Sequence, residues 1–419
     1  MGNVVPLSGA SGGAPRRRRR RSSKTALVLG GGGFTGAVYE IGALRALDLL
    51  SVNRTVNQFD VYVGTSAGSF VAALTANGVT PEEMMRVVNQ QEHTPFRDID
   101  VGTLLRPNLV SWARAGLTMP LRAAAVLREL AGQLGSISIM DVLLGLGEGL
   151  PAGFYSGAGL ERYLRSVLSD PDRTDDFRFL GPELYLTATD LDTCERIVFG
   201  SDGWDDVPIS TAVRASTALP MVYEPVRVGD RELIDGGIVS TTNLDIAVEA
   251  GAKLVVVVNP LVPYVNDFSR EVRTLFGTRP RRVSDMGFPQ IGYQAFKLMT
   301  YQRLHEMARQ WEERYPGVDI LLIEPEPDDE LMFQTSIMNY AKRVDIARHG
   351  FETVTMRLAA DYDRFHEIAE RHGIEISATR VRKVVDHFAA RDEAADATRA
   401  WRRILEQTTG ALLRQSAED

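Results

Sequence analysis

The apolar run ALVL at residues 26–29 leads without interruption into GGGGFTGAVYEIGAL at residues 30–44. Four consecutive glycines close a strand-like segment and open a helix-like one, the pattern expected where another group must approach the backbone closely. Two groups fit. Gly31, Gly33 and Gly36 satisfy the G-x-G-x-x-G spacing that cradles a dinucleotide pyrophosphate. The same amides, at the start of a helix, suit the oxyanion that develops in acyl transfer. The dinucleotide reading requires an acid at the end of the next strand, about 20 residues on. The next strand-like run, 60–63, carries Asp60 at its beginning and finishes in GTSAG. No Gly-Lys-Ser/Thr follows the glycines, so a P-loop is excluded as well.

Working outward, the 419 residues are enough for two or three domains, and the apolar and charged fractions are those of a soluble globular chain. Six consecutive arginines, Arg16 to Arg21, contribute +6, so the rest of the chain sums to −8 − 6 = −14 and is more acidic than the net −8 suggests. An acidic body argues against nucleic acid as a partner. The single cysteine, Cys194, rules out an internal disulfide and a multi-cysteine metal site. No apolar run approaches the ~18 residues that suggest a spanning helix. Pro6 stands where a myristoylation signal after Gly2 needs Ser or Thr. These features predict a cytoplasmic protein, with peripheral contact at a membrane surface as the variant reading.

Residues 1–23 contain little to bury and read as a disordered basic tail. The tail is either a solvated extension or a weak attractor for anionic headgroups, at roughly 1 kcal/mol per arginine near the surface. Residues 24–340 alternate strand and helix patterns. Strands are expected at 26–29, 60–63, 184–188, 196–199, 253–259 and 319–323, and helices at 35–50, 66–77, 158–168, 210–218 and 243–250. The alternation predicts an α/β layered domain around a largely parallel sheet. A helical insertion at about 97–150 places Ala123, Val126, Leu127, Leu130 and Leu134 on one stripe, which suits either core packing or a lid that meets lipid. Residues 341–419 read as a charged helical C-terminal extension for packing or assembly.

The segment DVYVGTSAGSF contains Gly64-Thr65-Ser66-Ala67-Gly68, a G-x-S-x-G motif between a strand and a helix. Gly64 and Gly68 keep side chains away from the sharp turn that exposes a nucleophilic serine. A serine hydroxyl needs a base. Five of the six histidines (His305, His349, His366, His372, His387) fall in charged helical stretches and His93 stands apart, so surface roles suit them better than a Ser–Asp–His triad. Asp235, at the end of an extended segment and followed by Gly236-Gly237, is the alternative. An aspartate before two glycines also caps ordinary turns. Here it shares its chain with an elbow serine and a glycine loop, all at expected strand ends, where α/β sheets assemble their sites.

Together GGGGFTG, GTSAG and DGG resemble the patatin-like phospholipase family, as do LTATDLDTCERIVFG (residues 186–200) and AVRASTALPMVYEPV (residues 212–226). The resemblance spans roughly residues 25–260. It implies a three-layer α/β/α fold and a Ser–Asp dyad that uses no histidine, metal or cofactor. Ser66 would be the nucleophile, Asp235 its base, and the Gly31, Gly32 and Gly33 amides the oxyanion hole. Gly36, Gly64, Gly68, Gly236 and Gly237 would shape the turns. The implied reaction is cleavage of carboxylic esters of lipids with release of fatty acid, and the implied partner is a phospholipid or acylglycerol, met at a membrane through Arg16–Arg21 or the 97–150 insertion. The sequence departs from the family pattern at Thr35, where a basic residue is usual, and at Asp245, where Asn-x-Pro would place proline. Those departures motivate a second reading, a weakly active or inactive scaffold that binds lipid or a partner.

Overall fold

The computed structural model describes residues 23–90, 150–267, 271–274, 277–280, 282–327 and 340–387, with short pieces at 96, 102, 105–109, 111–120, 329 and 331–332. The arginine run, His93, the stripe from Ala123 to Leu134 and the chain after 387 lie outside the described residues.

The chain begins with β1 (Thr25–Leu29), and α1 (Gly33–Leu50) follows after the glycine turn. Strand β2 (Val61–Thr65) passes through Ser66 into α2 (Ala67–Ala76). Helix α3 (Pro81–Val88) starts with a capping box, in which the Thr80 N–H donates to Glu83 Oε2 at 2.8 Å and the Glu83 N–H donates to Thr80 Oγ1 at 3.2 Å. Next come β3 (Gly153–Tyr155), α4 (Ala158–Leu168), β4 (Glu183–Asp190), β5 (Arg196–Phe199), α5 (Ile209–Ser216), β6 (Met221–Tyr223), β7 (Val226–Val228) and β8 (Arg231–Asp235). Then α6 (Leu244–Glu249), β9 (Leu254–Val258), the hairpin β10 (Glu271–Thr274) and β11 (Gly277–Pro280), α7 (Phe288–Arg309), β12 (Asp319–Ile323), α8 (Arg343–Ala360) and α9 (Tyr362–Arg371) complete the described strands and longer helices.

The main sheet runs β12-β9-β1-β2-β4-β8-β7, with β5 pairing on β4. The strands from β12 to β4 are parallel, and β5, β7 and β8 are antiparallel additions. Successive side chains of a strand point to opposite faces. Accordingly Leu27 and Leu29 join the core formed with α1 to α5, while Ala26 and Val28 join the core formed with α6 and Leu304 of α7. Apolar burial on both faces is why β1 and β9 read as uninterrupted hydrophobic runs rather than alternating ones. The fold is mixed α/β with a mostly parallel central sheet between helical layers, as expected from the sequence.

The strands expected at 26–29, 60–63, 184–188, 196–199, 253–259 and 319–323 are present within a residue or two of their ends. The short strands β3, β6 and β7 were not legible, because three residues carry no periodicity to read. Past residue 340 the chain contributes to the main core: Ile346, Ala347, Val354 and Leu358 of α8 are buried with Leu27 and Leu44. Helix α8 lies backbone-to-backbone against α1. A side chain at Gly42 would strike the Ala347 carbonyl, and a Cβ at Gly350 would sit 2.5 Å from Tyr39 O. Gly350→Ala should therefore cost about 1–3 kcal/mol through overpacking. A thermal melt reads this directly, and an unchanged Tm would contradict the close crossing.

Candidate active site

The site forms at the C-terminal ends of β1, β2 and β8. Ser66 sits between β2 and α2 at φ 53°, ψ −123°, in the left-handed half of the map that a non-glycine residue rarely occupies. Such strain persists only where surrounding bonds hold it. Here the Ser66 N–H donates to Ser216 Oγ at 2.8 Å, and the Ser66 carbonyl accepts from Ser69 N at 2.9 Å and from Ser69 Oγ at 2.5 Å. Gly64 and Gly68 make the turn possible, since a Cβ at Gly64 would lie 2.6 Å from Ser69 Cα and one at Gly68 would lie 2.5 Å from the Leu29 carbonyl carbon.

Ser66 Oγ donates to Asp235 Oδ2 at 2.5 Å, across 169 residues of sequence. Both side chains are buried. Asp235 Oδ1 accepts from the Gly237 N–H at 2.7 Å, and the Asp235 N–H donates to Ala218 O at 3.0 Å. Burial pushes the Asp235 carboxyl up to about 6, against the opposing pull of the hydrogen bonds from Ser66 and Gly237. A Cβ at Gly236 would meet Thr187 Oγ1 at 2.6 Å, so this turn also requires glycine. Four of the described histidines have partners elsewhere: His305, His349 and His372 face Glu324, Asp329 and Asp319, and His366 stacks on Tyr362.

The glycine turn packs against the serine, for a Cβ at Gly31 would lie 3.3 Å from Ser66 Cβ. Its path is set by backbone bonds: Gly30 N–H to Val258 O at 2.9 Å, Gly31 N–H to Thr241 O at 3.1 Å, and Gly68 N–H to Gly30 O at 3.1 Å. The Gly31 bond modifies the expectation of three free amides, because that N–H already has an acceptor. Gly32 and Gly33 stand at the N-terminus of α1, where amides have no intrahelical partner. None of the backbone bonds between described elements uses them. Gly33 adopts φ 63°, which only glycine takes without strain. Thr35 is buried in the first turn of α1 with its hydroxyl 3.4 Å from Gly32 O. The turn is thus tied down from the sheet, from α2 and from the segment after Asp235, with no basic residue at position 35.

Sequence reasoning missed several supporting groups. Buried Asn243 donates through Nδ2 to Thr65 Oγ1 at 2.8 Å, Thr187 Oγ1 at 3.1 Å and Ser240 O at 2.9 Å, tying β2 and β4 together beneath the serine. Asp245, at the other departure from the family pattern, pairs with Arg196 at 2.7 Å. Ser216 lies inside a quoted family block, but nothing in the block marks its contact with the Ser66 amide. Glu40 of α1 is fully buried, and burial pushes its carboxyl well above the usual range.

Ser66, Asp235, Gly31, Gly32 and Gly33 open onto a cavity of about 680 Å³. Its walls are mainly apolar, with Phe34, Phe70, Leu74, Met84, Val88 and Leu160 among them. Among the described residues no group of three or more His, Cys, Asp or Glu side chains is placed to hold a metal ion. No helix among them is long and apolar enough to cross a membrane.

The model of the patatin-like phospholipase family matches residues 27–248, a little over half of the chain. The chain belongs to the patatin-like phospholipase family. The matched segment carries the glycine turn, Ser66 and Asp235 of this patatin-like domain. A probable lipid hydrolase, 463L of Invertebrate iridescent virus 6, is 22% identical over 212 residues, covering 51% of this chain and 59% of that protein. The uncharacterized protein YqhO of Bacillus subtilis (strain 168) is 27% identical over 225 residues, covering 49% of this chain and 64% of that protein. The chain thus spans about six-tenths of the length of these relatives. Among solved structures, VipD from Legionella pneumophila matches at 15% identity with a TM-score of 0.38, covering 81% of this chain and 67% of that one.

Proposed function

We propose that this patatin-like domain is a serine acyl hydrolase that cleaves carboxylic ester bonds of lipids. The observation that carries the reading is the 2.5 Å hydrogen bond from Ser66 Oγ to buried Asp235, made at an apolar cavity. Asp235 takes the Ser66 proton as Oγ attacks the acyl carbonyl. The resulting oxyanion lies against the Gly32 and Gly33 amides and the positive end of α1. The tetrahedral intermediate collapses, Asp235 returns its proton to the leaving alcohol or lysolipid, and the acyl group stays on Ser66. Water, deprotonated by Asp235, then attacks the acyl-enzyme; Ser66 leaves with its proton restored, and fatty acid is released. No step calls on a metal or cofactor.

An aspartate with an ordinary pKa of about 3.9 is a weak base at neutral pH. Burial that moves Asp235 to about 6 brings it close to the working range. The cavity of about 680 Å³ lies within the roughly 300–1,000 Å³ typical of small-molecule sites, and its apolar walls suit an acyl chain. Phospholipids are the substrates favoured by the family, and the viral relative's name supports a lipid substrate in general; acylglycerols and thioesters of the same acyl chemistry are the comparison substrates. Contact with a lipid surface is part of the proposal. Phe154 and Met221 line the cavity and are exposed, and Trp112, from the 97–150 insertion, packs on Phe154 with ring centroids 5.5 Å apart.

The test is labelling with a fluorophosphonate probe, combined with hydrolysis of short esters and phospholipid vesicles. Wild-type protein should label and hydrolyse. Ser66→Ala should not label, and its turnover should fall by on the order of 10⁴–10⁶. Wild-type protein that neither labels nor hydrolyses would leave the lipid- or partner-binding scaffold as the better reading.

A further inference from the structure

A second buried polar chain lies beside the glycine turn and takes no part in the reaction scheme above. It starts where β9 and β12 end side by side, at Asn259 and Glu324. The two residues are 1% and 7% exposed. Asn259 Nδ2 donates to Glu324 Oε1 at 2.7 Å, and the Asn259 N–H donates to Ile323 O at 2.9 Å. The other Glu324 oxygen, Oε2, is 2.9 Å from Nε2 of His305 on α7. His305 is partly exposed and packs on Tyr301, with ring centroids 4.0 Å apart. The chain therefore runs inward from a solvent-facing imidazole, through a buried carboxyl group, to a buried amide.

Its inner end holds a turn. Asn259 Oδ1 accepts from the Leu261 N–H at 3.3 Å, an aspartate-like turn closed around Pro260. Pro260 is the surface on which the glycine turn rests: a Cβ at Gly32 would lie 2.8 Å from Pro260 Cγ, and one at Gly36 would lie 3.1 Å from it. A Cβ at Gly30 would lie 3.3 Å from Asn259 Oδ1 itself. Ser66 abuts the same turn at Gly31. The glycines are thus seated against the nucleophile on one side and the 259–261 turn on the other.

We infer that Asn259, oriented by Glu324 and His305, is a positioning residue for the oxyanion loop. It fixes Pro260 against Gly32 and Gly36, which in turn sets where the Gly32 and Gly33 amides point. The inference rests on the Ser66 acyl-transfer reading for its catalytic consequence, but the mechanical claim, that this chain immobilises residues 30–36, stands by itself. Buried polar chains immobilise their surroundings only when every member is satisfied. Removing one link frees the turn, and a misplacement of about 1 Å at an active site can cost on the order of 10²-fold in rate.

The experiment compares wild type with Asn259→Ala, Glu324→Leu, Glu324→Gln and His305→Ala in the full chain. Three readouts are taken: kcat and KM on a soluble short-chain ester, Tm, and amide hydrogen exchange of peptide 30–36 against peptide 67–76. Asn259→Ala and Glu324→Leu should lower kcat by about 10–100-fold with KM changed by no more than about twofold. Exchange should rise in 30–36 but not in 67–76. Glu324→Gln keeps an acceptor for Asn259 and should stay within about threefold of wild type. His305→Ala, at the half-open end, should fold normally and shift both readouts in the same direction by a smaller amount. Wild-type kcat in Asn259→Ala, or a rise in exchange equal in both peptides and following Tm, would overturn the inference. If wild-type protein proves inactive, the Ser66 reading fails, and exchange in 30–36 still decides whether the chain holds the loop.

Discussion

Replacing Asp235 with asparagine should abolish hydrolysis and, above pH 6, raise the melting temperature. The loss of activity follows from the loss of a base within 2.5 Å of Ser66 Oγ, an effect typically worth 10²–10⁴ in rate. The gain in stability follows from proton linkage. Burial raises the Asp235 carboxyl from 3.8 to about 6, so between these values the folded chain binds more protons than the unfolded one. Stability then falls as pH rises through this window, and at neutral pH the ionised side chain costs about 3 kcal/mol. Asparagine carries no charge: its oxygen keeps the bond from the Gly237 N–H, and its amide nitrogen donates to Ser66 Oγ in place of accepting from it. The difference in Tm between Asp235→Asn and wild type should be positive and constant above about pH 6, shrink on acidification, and vanish near pH 4. Wild-type turnover should lose activity below about pH 6, as the base becomes protonated. Thermal melts from pH 4 to 8 beside an ester assay measure all of this. A variant less stable than wild type at pH 7.5, or one that retains activity, would refute the assignment of Asp235 as a buried base.

The second large effect is expected at Gly68. Its N–H donates to Gly30 O at 3.1 Å, and an alanine Cβ would lie 2.5 Å from the Leu29 carbonyl carbon and 2.6 Å from Gly30 O. Those atoms are backbone at the end of a central strand and cannot turn aside as a side chain could. Relief requires α2 to move away from β1, carrying Ser66 away from the Gly31–Gly33 turn. Gly68→Ala should therefore lose about 1–3 kcal/mol of stability from overpacking and at least about 10²-fold in kcat/KM from misplacement of the nucleophile. Gly116→Ala is the matched control, because a Cβ there meets nothing within 4 Å. It should behave as wild type. Equal behaviour of the two variants would show that the close contact between the elbow and the glycine turn is not required.

Both effects depend on a contact that joins distant parts of the chain, and this divides what could be read from what had to be folded. The sequence by itself determined the order of the longer strands of the main sheet and of five helices, because these are local patterns: 26–29 and 254–258 are apolar throughout, whereas β3, β6, β7, the β10–β11 hairpin, α3 and α7 were not read from it. It also determined the three glycine-bearing turns at Gly30–Gly36, Gly64–Gly68 and Gly236–Gly237, because a turn without Cβ atoms leaves a mark in the residues that form it. Only the tertiary structure decided that Asp235 and Ser66 share a hydrogen bond, that burial moves the aspartate toward neutrality, and that Thr241 takes the Gly31 amide and leaves those of Gly32 and Gly33. It alone brought Asn243, Ser216 and the Asn259 turn to the site, and α8 into the core. The physical reason is that desolvation and hydrogen-bond occupancy depend on which atoms surround a group. Those atoms come from segments far apart in the chain, where no local period or spacing records their meeting.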